Sequence, residues 1–244
     1  MSGRRVVRMT GTLLVAAGIA VLVWVLVVWR WQDPFTALYT TWKQHQLSQS
    51  YDRRAQAYRL PDPKSAASPG VTAGQIRAQA RRYRLASKRG QAVGRLRVPR
   101  LGLNMIVIDG TDHDSLMKGP GLDRRTYMPG EGQLVYIAGH RTTYLAPFAH
   151  IERMKAGDPV SLELPYGTFR YRVFMHQIVG ANDLAVLKSH GREIVELQAC
   201  HPRFFASHRY IVYARLMQID PRGAPPIRPP AGALAAAPLA SAQG

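Results

Sequence analysis

The sequence predicts an all-β domain, a barrel or a sandwich, that follows a single apolar segment. Between about Val93 and Ile219, short runs rich in branched and aromatic residues alternate with turns that contain glycine or proline. These runs are GRLRV, LNMIVI, QLVYIAG, PVSLEL, TFRYRVFMHQIV, EIVELQA and YIVYARLMQI. The best candidates for helices in this region are two short stretches, DHDSLMKG and LAPFAHIERM. Many short strands and few helices are typical of an all-β barrel or sandwich.

The most apolar stretch of the chain lies near its N-terminus. Residues 11–29 carry no charge and, as a helix, would span roughly 28 Å, about the thickness of the hydrocarbon core of a membrane. Three basic residues precede this stretch: Arg4, Arg5 and Arg8. We therefore expect residues 1–10 to be a basic cytoplasmic N-terminus and residues 11–31 to be a transmembrane anchor, with the rest of the chain outside. A cleaved signal peptide is the disfavoured alternative, because the apolar run is long and no A-x-A-like site follows it.

Residues 32–92 are predicted to form a juxtamembrane helix and a basic linker. Asp33 followed by Pro34 is typical of a helix start. A stretch rich in proline and serine then interrupts the helical period, and the basic segment QIRAQARRYRLASKRG follows. This segment is either a solvated, partly helical linker or a patch that contacts anionic membrane or wall polymer.

Composition limits the partners and the chemistry. The chain has 33 Lys and Arg against 15 Asp and Glu, a formal net charge of +18, which favours anionic partners. Nucleic acid is not expected, because the anchor argues against a cytoplasmic location for the basic segment. We expect no metal and no cofactor, since no set of His, Cys and carboxylate residues has metal-ligand spacing, and residues 180–192 lack an acidic cluster for calcium. Residues 220–244, rich in Ala and Pro, are predicted to be a disordered tail.

Strand parity singles out the only cysteine and one arginine. Side chains alternate across a strand, and the apolar Val195, Leu197 and Ala199 define a core face. Cys200 has the opposite parity and lies at the mouth of a turn, whereas free cysteines are usually core residues. Arg209 begins the next strand, nine residues later. A hairpin-like connection would bring its guanidinium near the Cys200 sulfur.

A histidine at the end of another predicted strand supplies a base. In QLVYIAGHRTTY, Val135 and Ile137 share one face, and His140 has the opposite parity. A thiolate is a nucleophile, an imidazole can hold or deliver a proton, and a guanidinium can stabilise an oxyanion. His140 and Cys200, together with Arg209, are therefore candidates for covalent acyl transfer. Less favourable parity or context disfavours the other histidines considered: His113, His150, His176, His190, His201 and His208.

Several segments resemble the sortase family. They are KGPG (118–121), MPGEG (128–132), IAGHRTTY (137–144), APF (146–148), GDPVSLEL (157–164) and ACHPRFFASHRYIVYARL (199–216). The resemblance covers roughly residues 93–219 and is greatest to the class E sortases of actinobacteria. One difference is that Gln198 and Ala199 precede the cysteine, where the family usually has threonine.

The resemblance implies a fold, an activity and partners. Sortases are membrane-anchored cysteine transpeptidases with an eight-stranded β-barrel, which residues 93–219 would form. His140 matches the family's catalytic histidine, Cys200 its nucleophile and Arg209 its catalytic arginine. The implied substrates are secreted proteins with a C-terminal Leu-Ala-x-Thr-Gly or Leu-Pro-x-Thr-Gly sorting signal, cleaved between Thr and Gly. The implied acceptor is an amine of a peptidoglycan precursor.

Two other functions remain open. A cysteine hydrolase would use the same three residues and let water resolve the thioester. A non-catalytic, membrane-tethered binding module would contain Cys200 only as a buried residue, and its function would not depend on the thiol.

Overall fold

The computed structural model describes residues 3–31, 34–58, 72–189 and 191–229. Several predictions fall outside these ranges: the helix start at Asp33, the proline-rich part of the linker, His190, and residues 230–244 of the tail. The described helices are α1 (Gly3–Trp31), α2 (Pro34–Ala57), α3 (Ala73–Ala86) and the single-turn α4 (His113–Leu116). Short 3₁₀ turns cover Pro99–Leu101, Ile151–Arg153 and Leu184–Leu187.

Helix α1 contains the apolar stretch that the hydropathy pattern predicts. Over Gly3–Val27 it is long and apolar enough to cross a membrane, and its large apolar side chains are exposed rather than packed in a protein core. This is compatible with a single-pass anchor.

Eight strands close into one barrel. They are β1 (Ala92–Val98), β2 (Leu103–Asp109), β3 (Gly121–Leu122), β4 (Leu134–Ala138), β5 (Pro159–Leu164), β6 (Gly167–Gly180), β7 (Ile194–His201) and β8 (His208–Pro221). Their order around the barrel is β1-β2-β3-β4-β7-β8-β6-β5. The predicted eight-stranded barrel is therefore confirmed. The seven apolar runs correspond to the long strands, whereas β3, with two residues, is too short to leave a periodic pattern.

The parity argument also describes the barrel interior. Val195, Leu197 and Ala199 of β7 are all buried in the main core. The adjacent strand β4 runs parallel to β7, with Val135 opposite Val195 and Ile137 opposite Leu197. One face of each strand therefore fills the barrel, as the alternation of apolar residues predicts.

The helix predicted for LAPFAHIERM is wrong for most of its length. Tyr144, Leu145 and Ala146 have left-handed backbones, with φ of 53°, 60° and 37°, and only Ile151–Arg153 forms a 3₁₀ turn. Tertiary packing overrides the local pattern here. Phe148 is fully buried at the end of the barrel, and a Cβ on Gly139 would lie only 2.7 Å from its ring.

The basic segment after the linker forms helix α3, which packs on the barrel. A capping box between Thr72 and Gln75 begins the helix. Its residue Ile76 is buried in the main core, and Arg84 forms an ion pair with Glu131 at 2.6 Å. The opposite face leaves three basic side chains exposed: Arg77, Arg81 and Arg82.

The barrel sequence continues past Ile219. Strand β8 ends at Pro221, and the chain then returns so that Ile219 and Ile227 exchange two backbone hydrogen bonds of 2.8 Å. The described part of the predicted tail is thus attached to the last strand.

Candidate active site

Strands β7 and β8 place Cys200 opposite Arg209. The two residues are direct partners in the antiparallel ladder. Directly opposed residues project to the same side of a sheet, with Cβ atoms about 4.5–5.5 Å apart. Cys200 is a free, partly exposed thiol. The structure therefore brings together the cysteine and the arginine that the hairpin argument pairs.

His140 lies just beyond the end of β4, next to β7. The parallel register pairs Ala138 with Gln198, and the Gly139 N–H donates to the Gln198 carbonyl at 3.0 Å. His140 and Cys200 each follow this pair by two residues on strands that point the same way. The three candidate residues thus lie at or just beyond the ends of three neighbouring strands, β4, β7 and β8, at one end of the barrel.

Burial controls the protonation of His140. Its Nε2 atom is buried and has no hydrogen-bond partner within the described residues. The ring centroid lies 5.1 Å from that of Tyr144, and the Tyr144 ring lies 6.4 Å from that of His113. Burial lowers the pKa of His140 below its ordinary value, and His113 lowers it further. The neutral imidazole, which can accept a proton, is therefore favoured at neutral pH.

The guanidinium of Arg209 is held by backbone carbonyls. Its Nη1 donates to the carbonyl of Ala206 at 2.8 Å and to that of His208 at 3.0 Å. In the part of the chain that the structure describes, no protein group accepts a hydrogen bond from its Nε or Nη2. These donors can therefore meet an oxygen atom of a substrate.

A second arginine, Arg141, which sequence reasoning missed, contacts the backbone of the cysteine. Arg141 is buried, and its Nη1 donates to the Cys200 carbonyl at 3.0 Å and to Nδ1 of His201 at 2.9 Å. Its Nη2 donates to the Glu152 carboxylate at 2.8 Å. Because these partners lie far along the chain or on another strand, the only signal in the sequence was the position of Arg141 directly after His140.

The outer face of β7 is buried as well. Glu196 has no exposed surface, and the ladders place it between Tyr136 of β4 and Tyr213 of β8. Val186 and Leu187, in the connection between β6 and β7, pack against these tyrosines. Burial raises the pKa of the Glu196 carboxyl to about 8. The sequence pattern indicated a polar face, and tertiary structure covers it.

The described residues contain no group of three or more His, Cys, Asp or Glu that could hold a metal ion. The site described above contains a thiol, an imidazole and guanidinium groups. Such a set can carry out nucleophilic attack, proton transfer and oxyanion stabilisation.

Comparison with known proteins identifies the family. Residues 96–217, half of the chain, match the family model described as a Sortase domain. Sortase D of Bacillus subtilis (strain 168) is 33% identical over 130 residues, which cover 52% of this chain and 64% of the relative. Sortase SrtE1 of Streptomyces coelicolor is 25% identical over 150 residues, which cover 54% of this chain and 42% of the relative. The chain thus spans less than two thirds of the length of these relatives.

Solved structures share the fold. A sortase D5 transpeptidase of Clostridium perfringens superposes with a TM-score of 0.58 at 20% identity, covering 72% of this chain and 98% of that one. A sortase E of Streptomyces avermitilis superposes with a TM-score of 0.50 at 27% identity, covering 57% and 97%. The first of these likenesses supports the fold alone.

The fold and the match define a sortase-type β-barrel, a class whose members are cysteine transpeptidases. The chain belongs to the sortase family. The expected likeness to class E is supported only in part, since a class E relative is 25% identical and a sortase D is 33% identical.

Proposed function

We propose that this chain is a membrane-anchored cysteine transpeptidase in which Cys200 is the nucleophile, His140 the proton carrier and Arg209 the oxyanion and substrate stabiliser. The observation that carries the proposal is the register of β4, β7 and β8. It puts these three residues at one end of the barrel, with Cys200 directly opposite Arg209.

The proposed reaction has two acyl transfers. His140 takes the proton of the Cys200 thiol, and the thiolate attacks the carbonyl carbon of the Thr–Gly bond. The N–H groups of Arg209 donate to the oxygen on which negative charge develops. His140 then gives its proton to the departing glycine amine, and an acyl-thioester on Cys200 remains. An acceptor amine attacks this thioester, an amide forms, and the thiol is regenerated.

We propose secreted proteins with a C-terminal Leu-Ala-x-Thr-Gly or Leu-Pro-x-Thr-Gly signal as substrates and an amine of a peptidoglycan precursor as acceptor. The exposed arginines of α3 and the net charge of +18 favour an anionic wall or membrane surface as surroundings. We place the barrel on the extracellular side of α1, because arginines precede the apolar run.

The test uses the full chain in detergent, one peptide of each signal type and a small primary amine. Mass spectrometry should detect an acyl-thioester on Cys200 that is absent in Cys200→Ala and that the amine clears as an amide product. Release of the acid at a rate that the amine does not change would instead support the cysteine hydrolase. If neither peptide forms an adduct, and each peptide binds Cys200→Ala as tightly as it binds the wild type, the result would support the non-catalytic binding module.

A further inference from the structure

Helix α2 is part of the barrel rather than a free tether. Its Thr40 hydroxyl donates to the Met117 carbonyl at 2.8 Å, and the side-chain amide of Gln44 donates to the carbonyls of Ile106 and Lys118 at 3.0 and 2.7 Å. Gln44 also accepts from the Ile106 N–H at 2.7 Å. The helix thus satisfies backbone groups on β2 and in the segment after α4, which fixes its position along the barrel.

The first turn of α2 reaches the loop that carries His140. The Thr36 hydroxyl oxygen accepts a hydrogen bond of 3.1 Å from the backbone N–H of Tyr144. These two residues are 108 positions apart in the sequence. Tyr144 is the first of the three left-handed residues that follow His140, so the contact lies where the backbone leaves its preferred region.

Few backbone hydrogen bonds within the described loop stabilise the left-handed turn. Ala146 N–H donates to the Thr143 carbonyl at 2.8 Å, and Phe148 N–H donates to the His140 carbonyl at 3.1 Å. Neither bond uses the N–H of Tyr144, which Thr36 accepts. Residues with a Cβ are disfavoured in the left-handed region, so this turn depends on contacts from outside it.

The left-handed turn also determines the surroundings of the His140 ring. The Tyr144 ring packs against the His140 ring on one side and forms an edge contact with His113 on the other. A change in the Tyr144 backbone would move this ring and alter how deeply His140 is buried. One hydrogen bond, from Tyr144 to Thr36, and one ring contact, between Tyr144 and His140, therefore connect α2 to the imidazole.

We propose that Thr36 is a positioning residue for His140: its hydroxyl holds the Tyr144–Ala146 turn, and α2 is thereby a working part of the active site. This inference rests on the proposed role of His140 in proton transfer. It predicts that the hydroxyl of Thr36 affects the chemical step more than peptide binding, because Thr36 acts through the imidazole.

The experiment compares three variants of the full chain in detergent. Thr36→Val keeps the shape but removes the acceptor, Thr36→Ser keeps the hydroxyl, and Thr41→Val is the matched control. Thr41 is exposed, and among the described residues its hydroxyl bonds only to the Ala37 carbonyl of the same helix. For Thr36→Val we expect kcat to fall about tenfold with KM nearly unchanged, because a misplacement of a catalytic group by about 1 Å can cost about a hundredfold and a loosened turn shifts the imidazole by less. Thr36→Ser and Thr41→Val should retain wild-type kinetics.

A second measurement does not depend on turnover. The pKa of His140 is read by NMR of ¹⁵N-labelled imidazoles, with His140→Gln to assign the signal. Burial lowers this pKa in the wild type, so a loosened turn in Thr36→Val should raise it towards its ordinary value, while Thr41→Val leaves it unchanged.

The outcomes separate the two proposals. If the wild type forms no adduct on Cys200, the proposed function fails, and the titration still decides whether Thr36 controls the surroundings of His140. Wild-type kcat and an unchanged His140 pKa in Thr36→Val would overturn the positioning role. An equal loss of activity in Thr36→Ser would also overturn it, because the effect would then not come from the hydroxyl.

Discussion

At the scale of single residues, two arginines lie next to Cys200 and differ in their hydrogen-bond partners. Arg209 of β8 lies opposite Cys200 and keeps donors available, whereas Nη1 and Nη2 of Arg141 bond to the Cys200 carbonyl, His201 and Glu152. A buried guanidinium with fixed partners orders the backbone at the end of β7. Arg141 thus holds the carbonyl of the proposed nucleophile, while its thiol is partly exposed and has no hydrogen-bond partner among the described residues.

Glu196 should make the stability of the fold depend on pH. Its folded pKa is raised to about 8 by burial, so the folded state keeps a proton that the unfolded state releases above about pH 4.3. Glu196 makes its full contribution to the free energy of unfolding below the pKa of the unfolded state. This contribution is lost as pH rises towards 8, by up to about 1.4 kcal/mol per pH unit. Because Glu196→Gln stays neutral, its free energy of unfolding should rise relative to that of the wild type as pH increases from 5 to 8.

The measurement is urea unfolding of both proteins at several pH values. Glu193 is also buried, with a pKa raised to about 7, but it titrates in both proteins and cancels in the difference. Parallel stability curves for the two proteins would show that Glu196 does not titrate in this range.

At the scale of elements, the helices outside the barrel complete it. Tyr51 of α2 is buried with Ala92 and Ile106, and its hydroxyl donates to the Glu163 carbonyl at 2.9 Å. Arg54 of the same helix donates to the Ala92 carbonyl at 2.9 Å. A fragment that begins at Val93 would lose these contacts and the packing of α3, so it would leave apolar surface and backbone groups of β1 uncovered.

Tyr51→Ala should destabilise the protein by roughly 3–5 kcal/mol, the usual cost of removing a buried aromatic side chain. Tyr51→Phe should cost about 1 kcal/mol, because only the hydrogen bond to Glu163 is lost. Leu38→Ala on the same helix is the control, since this side chain is 73% exposed. Equal unfolding midpoints for Tyr51→Ala and Leu38→Ala would show that α2 does not contribute to the stability of the barrel.

At the scale of the whole molecule, the single cysteine makes membrane topology measurable. A thiol reagent that cannot cross membranes should label Cys200 in intact cells that express the protein, if the barrel lies outside as proposed. Cys200→Ser is the blank, and permeabilised cells give the maximal labelling. Labelling that appears only after permeabilisation would place the barrel in the cytoplasm.

The sequence by itself determined the strands, the parity that fills the barrel, the apolar span of α1 and the three candidate site residues. These follow from alternation and hydropathy, which are properties of a few consecutive residues. The resemblance to a family then added the number of strands. The two-residue β3 stayed hidden because it is too short to show alternation.

Only the tertiary structure decided which distant groups meet. The Thr36–Tyr144 bond, the contacts of Arg141 and the cover over Glu196 join residues far apart in the chain, so no local pattern records them. The left-handed turn at Tyr144 is of the same kind, since the packing of Phe148 overrides a helical pattern. Local physics specifies which face of each strand is apolar, whereas the surroundings of His140 arise only when the chain closes on itself.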